Sequence, residues 1–173
     1  MNLINPKKLK RGDTVATVSL SSGSAGDFVH RYKLGVSRLE NGFGLHVIPT
    51  PNSLEDSKWL YDNPRARADD LMWAFENNEV HGIISNIGGE ESIRILPYID
   101  YETITSNPKV FMGFSDTTVT HLICLHAGLS TFYGTSVLCE FSENINIHPY
   151  TKNAIEKALF NDGSIGLINP AFE

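Results

Sequence analysis

The sequence predicts an α/β fold, a parallel sheet flanked by helices. Three observations carry that expectation. Short apolar runs rich in β-formers alternate with helical patterns along the chain. Turns of small residues follow several of the runs. Strand, crossover helix and strand then repeat, and parallel neighbours need such crossovers.

The elements follow in order. Thr14 to Leu20 forms a first strand, and Ser21-Ser22-Gly23-Ser24-Ala25-Gly26 is a small-residue loop after it. Asp27 is expected to cap a helix with Phe28, Tyr32, Val36 and Leu39 on its apolar face, ending near Asn41-Gly42. Leu45 to Ile48 is a second strand, closed by Pro49. Residues 50–62 are polar and irregular, anchored by Trp59, Leu60 and Tyr61. Asn63-Pro64 opens a helix, with proline at its first position. His81 to Ser85 is a third strand, ending in the turn Asn86-Ile87-Gly88-Gly89, and a short helix covers 91–96. Val110 to Phe114 leads into Ser115, and a helical pattern with Val119, Leu122, Ile123, Leu125 and His126 starts at once. Thr131 to Gly134 is a further strand candidate, and Pro149 opens a last helix that Gly163 stops.

Ligands on parallel sheets bind at the carboxyl ends of the strands. The loops at 21–26, 86–91 and 115–116 leave those ends and are expected to converge.

The 173 residues suffice for one domain with a real core, and 41% hydrophobic against 20% charged residues describes a folded, soluble chain. The net charge of -6 and the lack of a basic stripe argue against nucleic acid as a partner. The start, MNLINPKKLKRGD, has no apolar signal core, and no segment reaches the ~20 apolar residues of a membrane span. Cys124 and Cys139 are too few for a disulfide framework or a zinc knuckle, and Cys124 is expected in the core. The expected compartment is the cytoplasm, with no cofactor and no metal.

Ser115 stands on a strand-to-helix corner, beside free N–H groups that favour negative charge. That is the geometry of a serine nucleophile. A serine there is equally a plain helix cap, with Asp116 suiting the helix dipole. Gly113 permits a tight elbow, but Thr117 replaces the second glycine of the common hydrolase signature. Gly88-Gly89 is either a flexible turn or a source of an exposed N–H, that of Gly89, which would pair with the Asp116 N–H as an oxyanion hole. Glu90 and Glu91 either face solvent or bind a substrate amine. Loop 21–26, with Ser21 and Ser22, lines the site or cradles a phosphate, although the dinucleotide spacing is missing.

A serine nucleophile needs an imidazole within ~3 Å. His121 and His126 lie roughly 9 and 16 Å along the helix that starts at Ser115, out of reach. His30 is in the first helix, and His46 and His81 sit at strand starts. The base is therefore expected outside this sequence, unless Ser115 is no nucleophile.

Several motifs in order give the chain a family likeness. They are Arg11-Gly12-Asp13, the run from Arg65 to Phe75, Ile87-Gly88-Gly89, Leu96 to Asp100, Asn107-Pro108-Lys109, Gly113 to Thr118, and Thr131 to Gly134. With these the chain resembles the LD-carboxypeptidase family of serine peptidases, including its microcin C self-immunity branch. The resemblance implies a flavodoxin-like or class I glutamine amidotransferase-like N-terminal domain. It implies Ser115 as nucleophile, the Gly89 and Asp116 N–H groups as oxyanion hole, and Gly88, Glu90, Ser21 and Ser22 at the substrate. It also implies a metal-free, cytoplasmic, two-domain enzyme, commonly a homodimer, whose acid and histidine lie in a C-terminal domain. Residues 1–165 would then be the nucleophile domain and 166–173 the start of a linker. The expected substrates are a murein tetrapeptide or a peptidyl or aminoacyl nucleotide. Ile87-Gly88-Gly89-Glu90, in place of an Arg-Gly-Gly-Tyr-like loop, tilts toward the microcin branch, and Thr135-Ser136 departs where a proline usually follows the glycine. This fragment alone is expected to be inactive, with Phe141 and Ile147 exposed on a cut surface. The rival reading is a non-catalytic ligand- or nucleotide-binding domain.

Overall fold

The computed structural model describes residues 3–171. Five parallel strands form one sheet in the order β2-β1-β3-β4-β5. They are β1 (Thr14–Val18), β2 (His46–Pro49), β3 (Val80–Ser85), β4 (Val110–Gly113) and β5 (Phe132–Tyr133). This is the flavodoxin-like order, whose reversal point lies between β1 and β3.

Strand side chains alternate between two cores. Ala16, Val18, Ile83 and Phe111 point to one face. There they meet α4 (Pro64–Glu76), α5 (Tyr101–Ser106) and α6 (Thr118–His126), through Leu71, Phe75, Ile104 and Ile123. Val15, Ile84, Val110 and Met112 point to the other. There Tyr32, Leu39 and Phe43 of α2 (Val29–Phe43) and Ile155 and Leu159 of α7 (Pro149–Leu159) cover them. The central strands are apolar on both faces because both are covered. Cys124 is in the first core, and burial pushes its thiol up to about 12.

Several expectations are corrected. Asp27 does not cap the long helix. It ends a four-residue helix, α1 (Ser24–Asp27), and its carboxylate accepts from Ser57 Oγ and the Ser57 N–H. Helix α2 runs on to Phe43, where Gly44 at φ +69° terminates it. Residues 50–62 hold a helix, α3 (Ser57–Asp62), capped by Asp56 on the Trp59 N–H; Leu60 is its buried anchor, whereas Tyr61 is exposed. Helix α5, capped by Asp100, was not foreseen. Ser92–Tyr98 is a 3-10 helix. Leu122 and Leu125 face solvent, while Thr120, His121, Ile123 and Cys124 face inward. Phe141 is fully buried against Phe43, ring centroids 5.7 Å apart, and Ile147 is half-buried.

No secondary structure follows α7 through residue 171. The last positions of the expected linker, 172 and 173, lie outside the described residues. Among the described residues no helix is long and apolar enough to cross a membrane.

Candidate active site

The carboxyl ends of β1, β3 and β4 converge on Ser115. Strand β4 is buried throughout and ends at Gly113. Phe114 is extended, and Ser115 then turns to φ +62°, the sole positive φ among the described non-glycine residues. A side chain held there costs about 1–3 kcal/mol, and such strain concentrates at functional corners. Ser115 is exposed and opens a 3-10 turn to Thr117 that leads into α6. Phe114, not Ser115, holds the cap position, and no side chain caps the turn. The plain-cap reading of Ser115 therefore fails on geometry. Gly113 is needed for close packing: a Cβ there would lie 2.7 Å from Thr117 Cγ2 and 2.8 Å from Ser85 Cβ.

Gly88 is pressed against the corner. A Cβ on it would stand 2.9 Å from Ser115 Cβ, 3.1 Å from Ser115 Oγ and 3.1 Å from the Asp116 nitrogen. Gly89 is exposed, at φ +151°, and a Cβ on it would collide with Ser21 Oγ at 2.4 Å. Two carbonyls nearby are fixed. The Ser22 N–H donates to the Gly88 carbonyl at 3.3 Å, and Thr118 Oγ1 donates to the Ser115 carbonyl at 2.5 Å. A trans peptide points its N–H opposite its C=O. These two bonds therefore orient the N–H groups of Gly89 and Asp116, neither of which has a hydrogen-bond acceptor among the described residues.

The Asp116 side chain is a tie. Its Oδ2 accepts from Ser21 Oγ at 2.5 Å and from the Ser92 N–H at 2.8 Å. Partial burial pushes this carboxyl up, but the donors of Ser21, Ser92 and Glu91 outweigh it and hold it below the usual range. Ser21 also accepts from the Glu91 N–H at 3.0 Å and is buried, so its hydroxyl is spent within the protein. Ser22 Oγ lies 2.6 Å from Ser24 Oγ. Glu90 is exposed, and Glu91 pairs with Arg94 at 3.2 Å.

Beneath these loops Arg67 is fully buried. Its Nη1 donates to the carbonyls of Leu20, Ser21 and Glu91 at 3.0, 3.4 and 3.3 Å. It thus joins the loops after β1 and β3. Burial lowers its pKa, as does Arg94 nearby. Sequence reasoning noted Arg67 only within a motif. An arginine on the inward face of α4 was the available signal.

No histidine bonds to Ser115 among the described residues. His121 Nε2 lies 2.9 Å from the Gly113 carbonyl and so donates to it, while Nδ1 pairs with Thr131 Oγ1 at 2.8 Å. Burial lowers its pKa, against the Gly113 carbonyl, which raises it, and both ring nitrogens are engaged within the protein. His148, unplaced by sequence, caps α7 on the Tyr150 N–H. His46 and His81 lie on β2 and β3, and His30 and His126 on α2 and α6. One site residue was missed: the Tyr133 hydroxyl accepts the Ser115 N–H at 3.1 Å. The Thr118 hydroxyl and the Ser115 N–H lower its pKa. Among the described residues no cluster of three or more metal-ligating side chains occurs.

A family model described as the LD-carboxypeptidase N-terminal domain matches residues 15–134. The microcin C7 self-immunity protein MccF of Escherichia coli is 30% identical over 149 residues, covering 86% of this chain and 43% of that protein. A Bacillus subtilis protein named "Probable murein peptide carboxypeptidase" is 31% identical over 158 residues, covering 91% of this chain and 48% of its own length. MccF in its wild-type apo state superposes with a TM-score of 0.83 at 28% identity, covering 93% of this chain and 48% of that one. An MccF-like protein from Streptococcus pneumoniae, solved in complex with AMP, gives a TM-score of 0.76 at 39% identity, over 84% of this chain and 45% of that one. Other MccF structures hold aspartyl sulfamoyl adenosine, or are of an active-site mutant with a serine, an asparagine and a lysine replaced by alanine. The chain spans about half the length of these relatives.

Proposed function

The chain belongs to the LD-carboxypeptidase family through its N-terminal domain, and we propose that residues 1–165 are the nucleophile-bearing half of a serine-type amide hydrolase. The single observation that carries this reading is the strained, exposed Ser115 corner with two unpartnered amides, those of Gly89 and Asp116, beside it.

The chemistry this reading implies is acyl transfer through Ser115. Ser115 Oγ forms a bond to the carbonyl carbon of an amide while its proton passes to a base. The carbonyl oxygen, now negative, accepts the Gly89 and Asp116 N–H groups; losing one such donor costs roughly 3–4 kcal/mol of barrier. Collapse breaks the C–N bond, and the amine leaves with the proton. Water then attacks the acyl-serine carbonyl, the C–Oγ bond breaks, the carboxylic acid leaves and a proton returns to Ser115 Oγ. The base and its acid partner belong to a C-terminal domain joined through a linker at 166–173, and without them this chain is nearly inactive.

The substrate is a small peptide or a peptidyl or aminoacyl nucleotide. The relatives named for a murein peptide and for microcin C7 support these two classes, as do the AMP and aspartyl sulfamoyl adenosine complexes. Gly88, Glu90 and Ser22 form the near wall, with Ser21 behind them as a tie. The whole enzyme is read as a cytoplasmic homodimer. The test is hydrolysis by protein that includes the following domain. Release of D-alanine from a murein tetrapeptide, or of the amino acid from an aminoacyl nucleotide amide, is expected, and Ser115→Ala should abolish it. Turnover that survives Ser115→Ala would refute the reading.

The described histidines leave Ser115 without a base, and this favours one rival: a domain that binds a nucleotide through loop 21–26 without chemistry. That rival requires nucleotide affinity in this chain alone, lost on substitution of Gly23.

A further inference from the structure

The geometry points to Tyr133 as a positioning residue for the nucleophile, an inference that rests on the serine-hydrolase reading and deepens it. Strand β5 pairs with β4 so that Tyr133 stands opposite Gly113. From there its hydroxyl reaches past the strand end and accepts the Ser115 N–H at 3.1 Å. That N–H opens a helical turn, where no intrahelical acceptor exists.

Three side-chain bonds hold the peptide groups around the corner, with backbone bonds beside them. His121 holds the carbonyl of Gly113, Tyr133 holds the N–H of Ser115, and Thr118 holds the carbonyl of Ser115, while the Gly134 N–H also donates to the Gly113 carbonyl and the Thr117 N–H to the Phe114 carbonyl. Two of the holding rings touch: His121 and Tyr133 have centroids 5.3 Å apart, tilted by 43°. Each bond fixes one peptide plane. The 114–115 plane, which sets where Ser115 Cβ and Oγ emerge, is held at its carbonyl by the Thr117 N–H at 3.3 Å and at its N–H by the shorter bond to Tyr133 at 3.1 Å.

Tyr133 is 65% exposed, so packing does not require it. The peptide plane that Tyr133 holds aims Ser115 Oγ at the reacting atom, and a misaligned oxygen slows bond formation without removing any contact to the bound reagent. Loss of the hydroxyl therefore acts on the chemical step rather than on affinity.

The test compares the parent chain with Tyr133→Phe, which folds because the side chain is exposed. Two readouts are used: the amide proton resonance of Ser115, and capture by a fluorophosphonate in excess. In capture the Ser115 Oγ–P bond forms, the P–F bond breaks, fluoride leaves and the serine proton goes to solvent. Tyr133→Phe is expected to move the Ser115 amide upfield and to lower the maximal capture rate about fivefold, the worth of one neutral hydrogen bond, with reagent affinity unchanged. An unmoved amide overturns the inference. So does an unchanged maximal rate, or an effect confined to affinity, which would make the ring a mere wall. Ser115→Ala separates the two levels: if it is labelled like the parent, the hydrolase reading itself has failed.

Discussion

Ser21 and Asp116, ninety-five positions apart in the chain, meet through a 2.5 Å hydrogen bond from Ser21 Oγ to Asp116 Oδ2. That bond ties the loop after β1 to the corner after β4, across the loop after β3. Ser21→Ala removes it and leaves the Asp116 carboxylate with the Ser92 N–H. The expected loss is about 1 kcal/mol of stability, since the carboxylate is only partly buried. Urea unfolding at neutral pH measures it, and an unchanged midpoint would mean the tie is immaterial.

Asp116 also carries a pH signature. Its folded-state pKa is depressed, so its ionised form is favoured in the native protein. That contribution is complete above the unfolded carboxylate value and is lost as pH falls through the folded one. Asp116→Asn should therefore be less stable than the parent at pH 7, with the gap narrowing below about pH 4. A gap that widens in acid would show the opposite sign of shift.

Strain at the corner separates stability from activity. Ser115→Gly places the residue suited to φ +62° at the elbow and should raise stability by about 0.5–1 kcal/mol while abolishing capture. Ser115→Ala also abolishes capture but keeps the strain. Thermal unfolding of the two variants side by side makes the comparison. If Gly is no more stable than Ala, the corner is unstrained.

Gly88→Ala places a methyl 2.9 Å from Ser115 Cβ and 3.1 Å from the Asp116 nitrogen. The backbone of one loop must retreat, at a cost of about 1–3 kcal/mol. The Gly89 and Asp116 amides, proposed as the oxyanion site, separate with it, so hydrolysis by protein that includes the following domain should fall far more than stability. Circular dichroism melts and turnover on the same preparation distinguish these. Activity near that of the parent would place the oxyanion site elsewhere.

The Ser115 corner was legible because it is local: Gly113, Ser115 and Asp116 are adjacent, and the switch from strand to helix pattern marks the turn. The sheet was legible for the same reason, each strand being a short apolar run. What escaped depends on distant partners. The role of the Asp116 carboxylate needs Ser21 and Ser92, and the role of Tyr133 needs a two-residue strand to pair with β4. Helix α3 escaped because one buried residue, Leu60, and one cap, Asp56, give too little periodicity. Phe141 was expected at a cut surface, yet Phe43 packs on it, and Arg31 and Arg38 of α2 bond the carbonyls of Leu138, Phe141, Ser142 and Ile145 around it.

The most direct measurement is fluorophosphonate labelling of this 173-residue chain beside protein that also carries the following domain, with the modified residue located by peptide mapping. Rapid modification of Ser115 in the longer protein, and only slow modification in this chain, is the expected result. Equal labelling of the two, or labelling of neither, contradicts a nucleophile here that depends on a base elsewhere.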